Sequence, residues 1–163
     1  AGAEKAAGFI DRCERFGLPL LVLVDTPGFM PGSRQERIGV IRHGAGLLRA
    51  FASASVPKLT LVVRKAFGGA AITMNSRDLG ADLVFAWPGA EVGIMAASEA
   101  VAITDRRRLQ DADPRERELA AQEYAERHLN ADAAASGGFV DEVIEPEQTR
   151  DRLSWALAAL ESR

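Results

Sequence analysis

Three short runs of uninterrupted apolar residues, separated by helix-patterned stretches, restrict this chain more than any other feature. They are Leu20-Leu21-Val22-Leu23-Val24, Leu59 to Val63 and Leu83-Val84-Phe85-Ala86. A strand with one solvated face alternates polar and apolar residues, whereas a strand covered on both faces does not. The runs therefore predict buried, parallel strands. The first ends at a turn by composition, Asp25-Thr26-Pro27-Gly28.

The intervening segments carry the helical period. Ala6, Phe9, Ile10 and Cys13 form one stripe over a helix from Glu4 to Phe16, stopped by Gly17. Ser33 with Glu36 has the spacing of a capping box and opens a long helix to about Ala54, with Ile41, Ala45, Leu48 and Ala52 on one face. A short helix follows Gly68-Gly69-Ala70 through about Ser76, and Glu91 to Met95 alternates as a fourth strand. Helices are predicted from about Ser98 to Leu109, after the cap Asp113-Pro114, over Ala131–Ser136, and from Pro146 with Leu153, Leu157 and Leu160 as its stripe. Phe139 to Ile144 reads as extended. Strands separated by helices define an α/β class with parallel pairing. No repeat or linker divides the 163 residues, so one domain, 1–163, is expected.

The totals exclude several functions. A net charge of -3 and a pI near 5.5 do not suit a nucleic-acid binder, which needs a basic face. The single cysteine, Cys13, allows neither an internal disulfide nor a cysteine metal site and fits a reducing cytoplasm. No apolar run has membrane-spanning length, and no signal-peptide pattern opens the chain. The absence of an initiator Met, with helix pattern from the first residues, suggests a fragment or processed piece.

Two loops could carry chemistry. In Arg64-Lys65-Ala66-Phe67-Gly68-Gly69-Ala70 a strand gives way to a helix across two glycines, so backbone can approach a ligand closely. The first N–H groups of the helix lack intrahelical acceptors and could bind a developing oxyanion. A tight turn without a ligand explains the same pattern. The Asp25 loop lies at the end of a strand, where α/β folds place ligands. Asp25 could be a metal carboxylate or a Walker-type aspartate, but no phosphate-binding glycine loop precedes it, and a rigid proline turn is the competing reading. His43 in its helix and His128 on the surface read as packed or solvated, and no hydrolase triad is supported. Arg106-Arg107-Arg108 beside Asp105, Asp111 and Asp113 reads as a solvated helix end.

Taken in order, the motifs resemble one family. Asp25-Thr26-Pro27-Gly28-Phe29-x-Pro31-Gly32, Arg42-His43-Gly44-Ala45, Val56-Pro57-Lys58, Arg64 to Ala70, Ala86-Trp87-Pro88-x-Ala90-Glu91, and Gly138-Phe139-Val140-Asp141-Glu142-Val143-Ile144-x-Pro146 with Thr149-Arg150 follow one another as in carboxyltransferase β subunits of biotin-dependent acyl-CoA carboxylases. The resemblance covers nearly the whole chain. It implies a ClpP/crotonase-like fold of ββα units, of which this chain is the C-terminal, biotin-side domain, without its first strands and without the N-terminal acyl-CoA domain. It implies carboxyl transfer from carboxybiotin to the α-carbon of an acetyl-CoA- or propionyl-CoA-class substrate. The biotin ureido group takes the α-proton and the enolate captures CO2. The backbone N–H groups of Gly69 and Ala70 would hold the ureido oxyanion, with Phe67, Gly68, Ala71, Ile72, Pro27, Gly28 and Phe29 around the pocket. Biotin would arrive on a carrier rather than be attached to this chain, and no metal is needed. A biotin carboxylase and carrier subunit, an N-terminal carboxyltransferase domain and further copies of the chain are the implied partners, in the cytoplasm. The chain would be inactive alone.

The chain departs from the family pattern at several places. Ala71 and Ile72 stand where family members often have an aromatic and then a residue that lines the acyl pocket, so the resemblance implies that Ile72 would suit an apolar acyl chain. The family's Met-Gly-x-x-Gly-Ala-Val is here Met95-Ala96-Ala97-Ser98-Glu99-Ala100-Val101. Glu36-Arg37-Ile38-Gly39 lacks a further glycine position. The losses at Ala96 and Glu99 motivate one alternative, an inactive or truncated assembly module; a biotin-dependent decarboxylase subunit, which shares the corner and runs the transfer in reverse, is the other.

Overall fold

A computed structural model describes residues 2–29, 32–37 and 39–161, the side chains of Arg34 and Gln35 excepted. Met30, Pro31 and Ile38, which belong to the proline loop and the segment after it, lie outside the described residues.

The chain begins with α1 (Gly2–Phe16), β1 (Leu20–Thr26), α2 (Ser33–Arg37), α3 (Val40–Ser53) and β2 (Lys58–Phe67). Then come α4 (Gly68–Thr73), a 3₁₀ turn at Arg77–Leu79, β3 (Leu83–Ala86), β4 (Glu91–Gly93) and α5 (Ala97–Thr104). It closes with α6 (Pro114–His128), α7 (Ala131–Ser136), β5 (Glu142–Val143), a second 3₁₀ turn (Pro146–Gln148) and α8 (Thr149–Glu161). The strands pair in parallel in the order β1-β2-β3-β5, as expected of an α/β chain. Ala66 of β2 faces Thr26 on one flank and Val92 on the other, so β4 continues the lane of β3 beside the far end of β2.

Helices cover both faces. On one, Leu59, Leu61 and Phe85 meet Ile144 and Leu153 and Ala156 of α8. On the other, Leu20 packs with Ile10 and Cys13 of α1 and Leu47 and Phe51 of α3, and Val24, Val62 and Val84 pack with α7. Trp87 Nε1 donates to Thr149 Oγ1 at 3.0 Å, joining the end of β3 to the start of α8.

Five expectations are corrected. β1 is not covered on both faces: it is the edge of the sheet among the described residues, and Leu21 and Leu23 are 47% and 58% exposed. The long helix is two helices, because Gly39 at φ 74 leaves the helical region. α3 buries Gly44, Leu47, Ala50 and Phe51, while the expected stripe of Ile41, Ala45, Leu48 and Ala52 faces outward. Phe9 likewise is exposed on α1, and the helix after Ser98 stops at Thr104. The Asp113 cap is a true capping box, with Glu116 N–H donating to Asp113 and Asp113 N–H donating to the Glu116 carboxylate.

Two polar contacts fix α3 against β2. Lys58 is buried, and its ammonium donates to the carbonyls of Phe51 and Ala54 at 3.0 and 2.9 Å, which neutralises the carbonyl end of α3. The Glu14 carboxylate accepts from the Ser55 hydroxyl at 2.6 Å and from the Ser55 and Val56 N–H groups at 2.8 and 3.1 Å. These bonds, the Ser55 hydroxyl foremost, hold the Glu14 carboxyl below its ordinary value of 4.5. A lowered carboxyl pKa stabilises the fold above the unfolded-state value and loses that contribution as pH falls through the folded-state value. Glu14→Gln is therefore expected to melt below the wild type at neutral pH, with the difference shrinking as pH falls below the unfolded-state value and closing once it passes the lowered folded-state value. Melting curves from pH 7 to pH 3 measure this, and a difference independent of pH refutes it.

Candidate functional site

The end of β2 is where geometry becomes unusual. Phe67 is still extended, at φ -113 and ψ 135, and Gly68 then turns to φ 61 as α4 begins. A Cβ on Gly68 would stand 3.0 Å from the carbonyl oxygen of Ile94, because pairing of Phe67 with Gly93 brings the β4–α5 connection against the corner. The first N–H groups of a helix have no intrahelical acceptors, and those of Gly69 and Ala70 meet no other acceptor among the described residues. At the far end of α4, Asn75 takes φ 59, donates from Nδ2 to Thr60 Oγ1 at 2.9 Å, and accepts through its carbonyl from that hydroxyl at 2.6 Å. These bonds pin the helix to β2 beneath it.

The Asp25 loop meets the same corner from the other side. Gly28 has φ 116, and the Phe29 ring lies 3.4 Å from where a Cβ on Gly44 would stand and 3.7 Å from one on Gly69. Two glycines thus seat one ring between α3 and α4. Asp25 itself sits in the register shift between Val24 and Thr26. Its carboxylate accepts from Arg64 Nη2 at 2.9 Å and from Nε at 3.1 and 3.2 Å, a two-pronged pair. The Arg64 guanidinium lowers the Asp25 carboxyl pKa, and the carboxylate raises that of Arg64. Asp25 is a strand-end tie to Arg64, and no group of metal-ligand type gathers around it among the described residues.

Beside the corner lies a cavity of about 630 Å³ whose walls include Gly68, Gly69, Ala71 and Ile72. Val62 and Val84 form its floor, and Ile103 of α5, Tyr124 and His128 of α6, and Phe139 close it. The structure thus gathers four of the residues singled out from the sequence. Phe67, at 1% exposure, is a core residue behind the corner, and Pro27, Gly28 and Phe29 lie outside the cavity walls. Ile103, Tyr124 and Phe139 were not recognisable from sequence, and His128 read only as a surface residue. It is exposed, yet it lines the cavity with its ring centroid 4.8 Å from that of Tyr124. Their one sequence signal is the i, i+4 spacing of Tyr124 and His128, which puts both on one helix face. His43, the other histidine, pairs with Glu4 at 3.1 Å, away from the cavity.

The missing glycines have a plain local setting. Ala96 is the N-cap of α5 at φ -63, and Glu99 lies in its first turn; neither position takes a positive φ. The side chains present there cost no backbone strain.

The corner suits a planar ligand that carries a carbonyl oxygen: two unpartnered N–H donors are offered next to apolar walls. Residues 1–163 match the model of a carboxyl transferase domain. The chain is 49% identical over 165 residues to a biotin-dependent acetyl-/propionyl-coenzyme A carboxylase beta6 subunit of Mycobacterium tuberculosis, covering 99% of this chain and 35% of that protein. It is 47% identical over 162 residues to the methylmalonyl-CoA decarboxylase subunit alpha of Propionigenium modestum, covering 98% and 31%. The crystal structure of transcarboxylase 12S with methylmalonyl-coenzyme A and methylmalonic acid bound superposes with a TM-score of 0.89 at 43% identity, over 99% of this chain and 31% of that one. The chain spans about a third of the length of the relatives it matches. No helix among the described residues is long and apolar enough to cross a membrane.

Proposed function

Because the chain belongs to the carboxyl transferase domain family, we propose that it forms the biotin-facing part of the carboxyltransferase of an acyl-CoA carboxylase, with the backbone of Gly69 and Ala70 as its catalytic group. The observation that carries this reading is the pair of unpartnered N–H groups of Gly69 and Ala70 at the start of α4, with Gly69 on the wall of an apolar cavity.

Carboxybiotin, delivered on a carrier subunit, supplies the activated carboxyl group when bound. This chain's part is to hold charge. The N–H groups of Gly69 and Ala70 would hold the ureido oxygen by donating hydrogen bonds to it. Gly68 at φ 61 and the Thr60–Asn75 bonds set both ends of α4 beforehand, so the donors need little reorganisation. The apolar walls keep water from competing for that charge. Phe67 to Ile72 carry no nucleophile, acid or base, so the residues of the corner act through the backbone. The thioester end of the acyl-CoA would be held by an N-terminal domain of the longer protein.

The test is fixation of labelled bicarbonate by the complete protein that contains this chain, together with its biotin carboxylase and carrier. Label is expected in acyl-CoA, dependent on ATP and on the acyl-CoA added. A carrier that becomes carboxylated while no acyl-CoA gains label overturns the reading. The similarity to a decarboxylase subunit favours one second reading, transfer in the reverse direction. It predicts carboxyl loss from methylmalonyl-CoA to the carrier without ATP, exceeding forward transfer.

A further inference from the structure

We propose that Leu129, where α6 ends, is a positioning residue of the carboxyl transfer: it holds β4 in place, and β4 sets the corner at Gly68 and Gly69. The proposal rests on the carboxyltransferase reading and adds to it a residue that acts through the backbone of another element.

The corner takes its shape from β4. Phe67 pairs with Gly93, and the next carbonyl oxygen, that of Ile94, stands 3.0 Å from where a Cβ on Gly68 would be. The place of that oxygen limits how the peptide between Gly68 and Gly69 can lie, and this peptide carries the Gly69 N–H. Yet β4 has only three residues, Glu91–Gly93, and at 83% exposure the Ile94 side chain anchors little. The position of the carbonyl depends on what borders the strand.

On one side that border is β2, and on the other it is the junction of α6 and α7. The Val92 N–H donates to the Leu129 carbonyl at 2.8 Å, and Glu91 forms an antiparallel bridge with Asn130. The buried Leu129 side chain stands over Gly93, where a Cβ would be 2.5 Å from Leu129 Cδ2. Gly93 does not hold a positive φ, so the approach of Leu129, not backbone conformation, is what calls for a glycine there. The junction itself is fixed at both ends. The Leu129 N–H donates to the Ala125 carbonyl at 2.9 Å and closes α6, and the Asn130 side chain accepts from the Ala133 N–H at 2.7 Å and opens α7. Two helix ends thus brace the short strand that lies against the corner. A hydrogen-bond donor aimed at developing charge loses its effect when it is displaced, even by a change remote from the chemistry.

The experiment measures kcat and KM of the complete carboxylase for propionyl-CoA, per mole of folded protein as read by circular dichroism. Gly93→Ala and Leu129→Val are each expected to lower kcat by about tenfold and to change KM by less than about twofold, within the roughly 10²-fold that a 1 Å misplacement can cost. Leu129→Val removes only one methylene, a change that buried sites survive. In the double variant Gly93→Ala/Leu129→Val the added methyl takes the room that the shortened side chain gives up, so the two effects do not add and kcat should return to within about threefold of the wild type. Leu153→Ala is the control: this buried residue packs with Phe85 under α8, and its loss should lower the melting temperature without changing kcat of the folded protein. Wild-type kcat in both single variants, the same kcat loss in Leu153→Ala, or a double variant no faster than either single one overturns the proposal while the carboxyltransferase reading stands. No carboxylated propionyl-CoA or acetyl-CoA from the wild-type complex overturns both.

Discussion

Gly68→Ala is expected to slow carboxyl transfer by about 10²- to 10³-fold, the loss that follows removal of one oxyanion-hole donor. Gly68 holds φ 61, and an L-residue in that region costs about 1–2 kcal/mol. Its Cβ would also stand 3.0 Å from the Ile94 carbonyl oxygen. That oxygen belongs to backbone held by the pairing of Phe67 with Gly93, so it cannot swing aside as a side-chain tip would. The strain is relieved by rotating the peptide between Gly68 and Gly69, and that peptide carries the Gly69 N–H. Gly69→Ala is the comparison. Its Cβ would meet the Phe29 ring at 3.7 Å, an ordinary contact, and its φ is not positive, so stability should stay within about 0.5 kcal/mol of the wild type. Bicarbonate fixation by the assembled carboxylase and a melting curve for each variant measure both effects. Wild-type transfer by a folded Gly68→Ala protein would remove the corner from the mechanism.

Phe67→Ala should lower unfolding stability by about 3–5 kcal/mol, the usual loss for a large buried aromatic. The side chain is 1% exposed and ends β2 one residue before the corner. Phe67→Leu, which keeps most of the apolar volume, should cost less than half as much. Denaturant unfolding followed by fluorescence or circular dichroism reads both. A Phe67→Ala loss below about 1 kcal/mol would mean that the ring lines a pocket rather than the core.

Much of this protein is local enough to be read in one dimension. Leu83–Ala86 and Ala131–Ser136 form the elements their residues predict. The Asp113–Glu116 capping box lies within four residues and needs nothing else. The corner is equally local: a strand, two glycines and a helix start occupy consecutive positions. Asp25 illustrates the limit. Its sequence setting allowed a metal ligand, and only the strand pairing with β2 brought Arg64 to its carboxylate.

α3 shows why the remainder was not legible. Its sequence carries two apolar stripes, one through Gly44, Leu47 and Phe51 and one through Ile41, Ala45 and Leu48. Periodicity establishes that a helix has an apolar face, but the burial of one stripe rather than the other depends on α1 and β1. The same holds for Leu20–Val24, whose composition suits a covered strand although its position in the sheet makes it an edge.

The sequence by itself determined the parallel α/β class, the order of the elements and the strand-to-helix corner, because each depends on residues within a turn or two of one another. Tertiary structure alone decided which strand lies at the edge, which helix stripe is covered, and that Ile103, Tyr124, His128 and Phe139 close a cavity against Ile72. Those outcomes depend on surfaces brought together from distant parts of the chain, and burial is a property of such pairs of surfaces rather than of either segment alone.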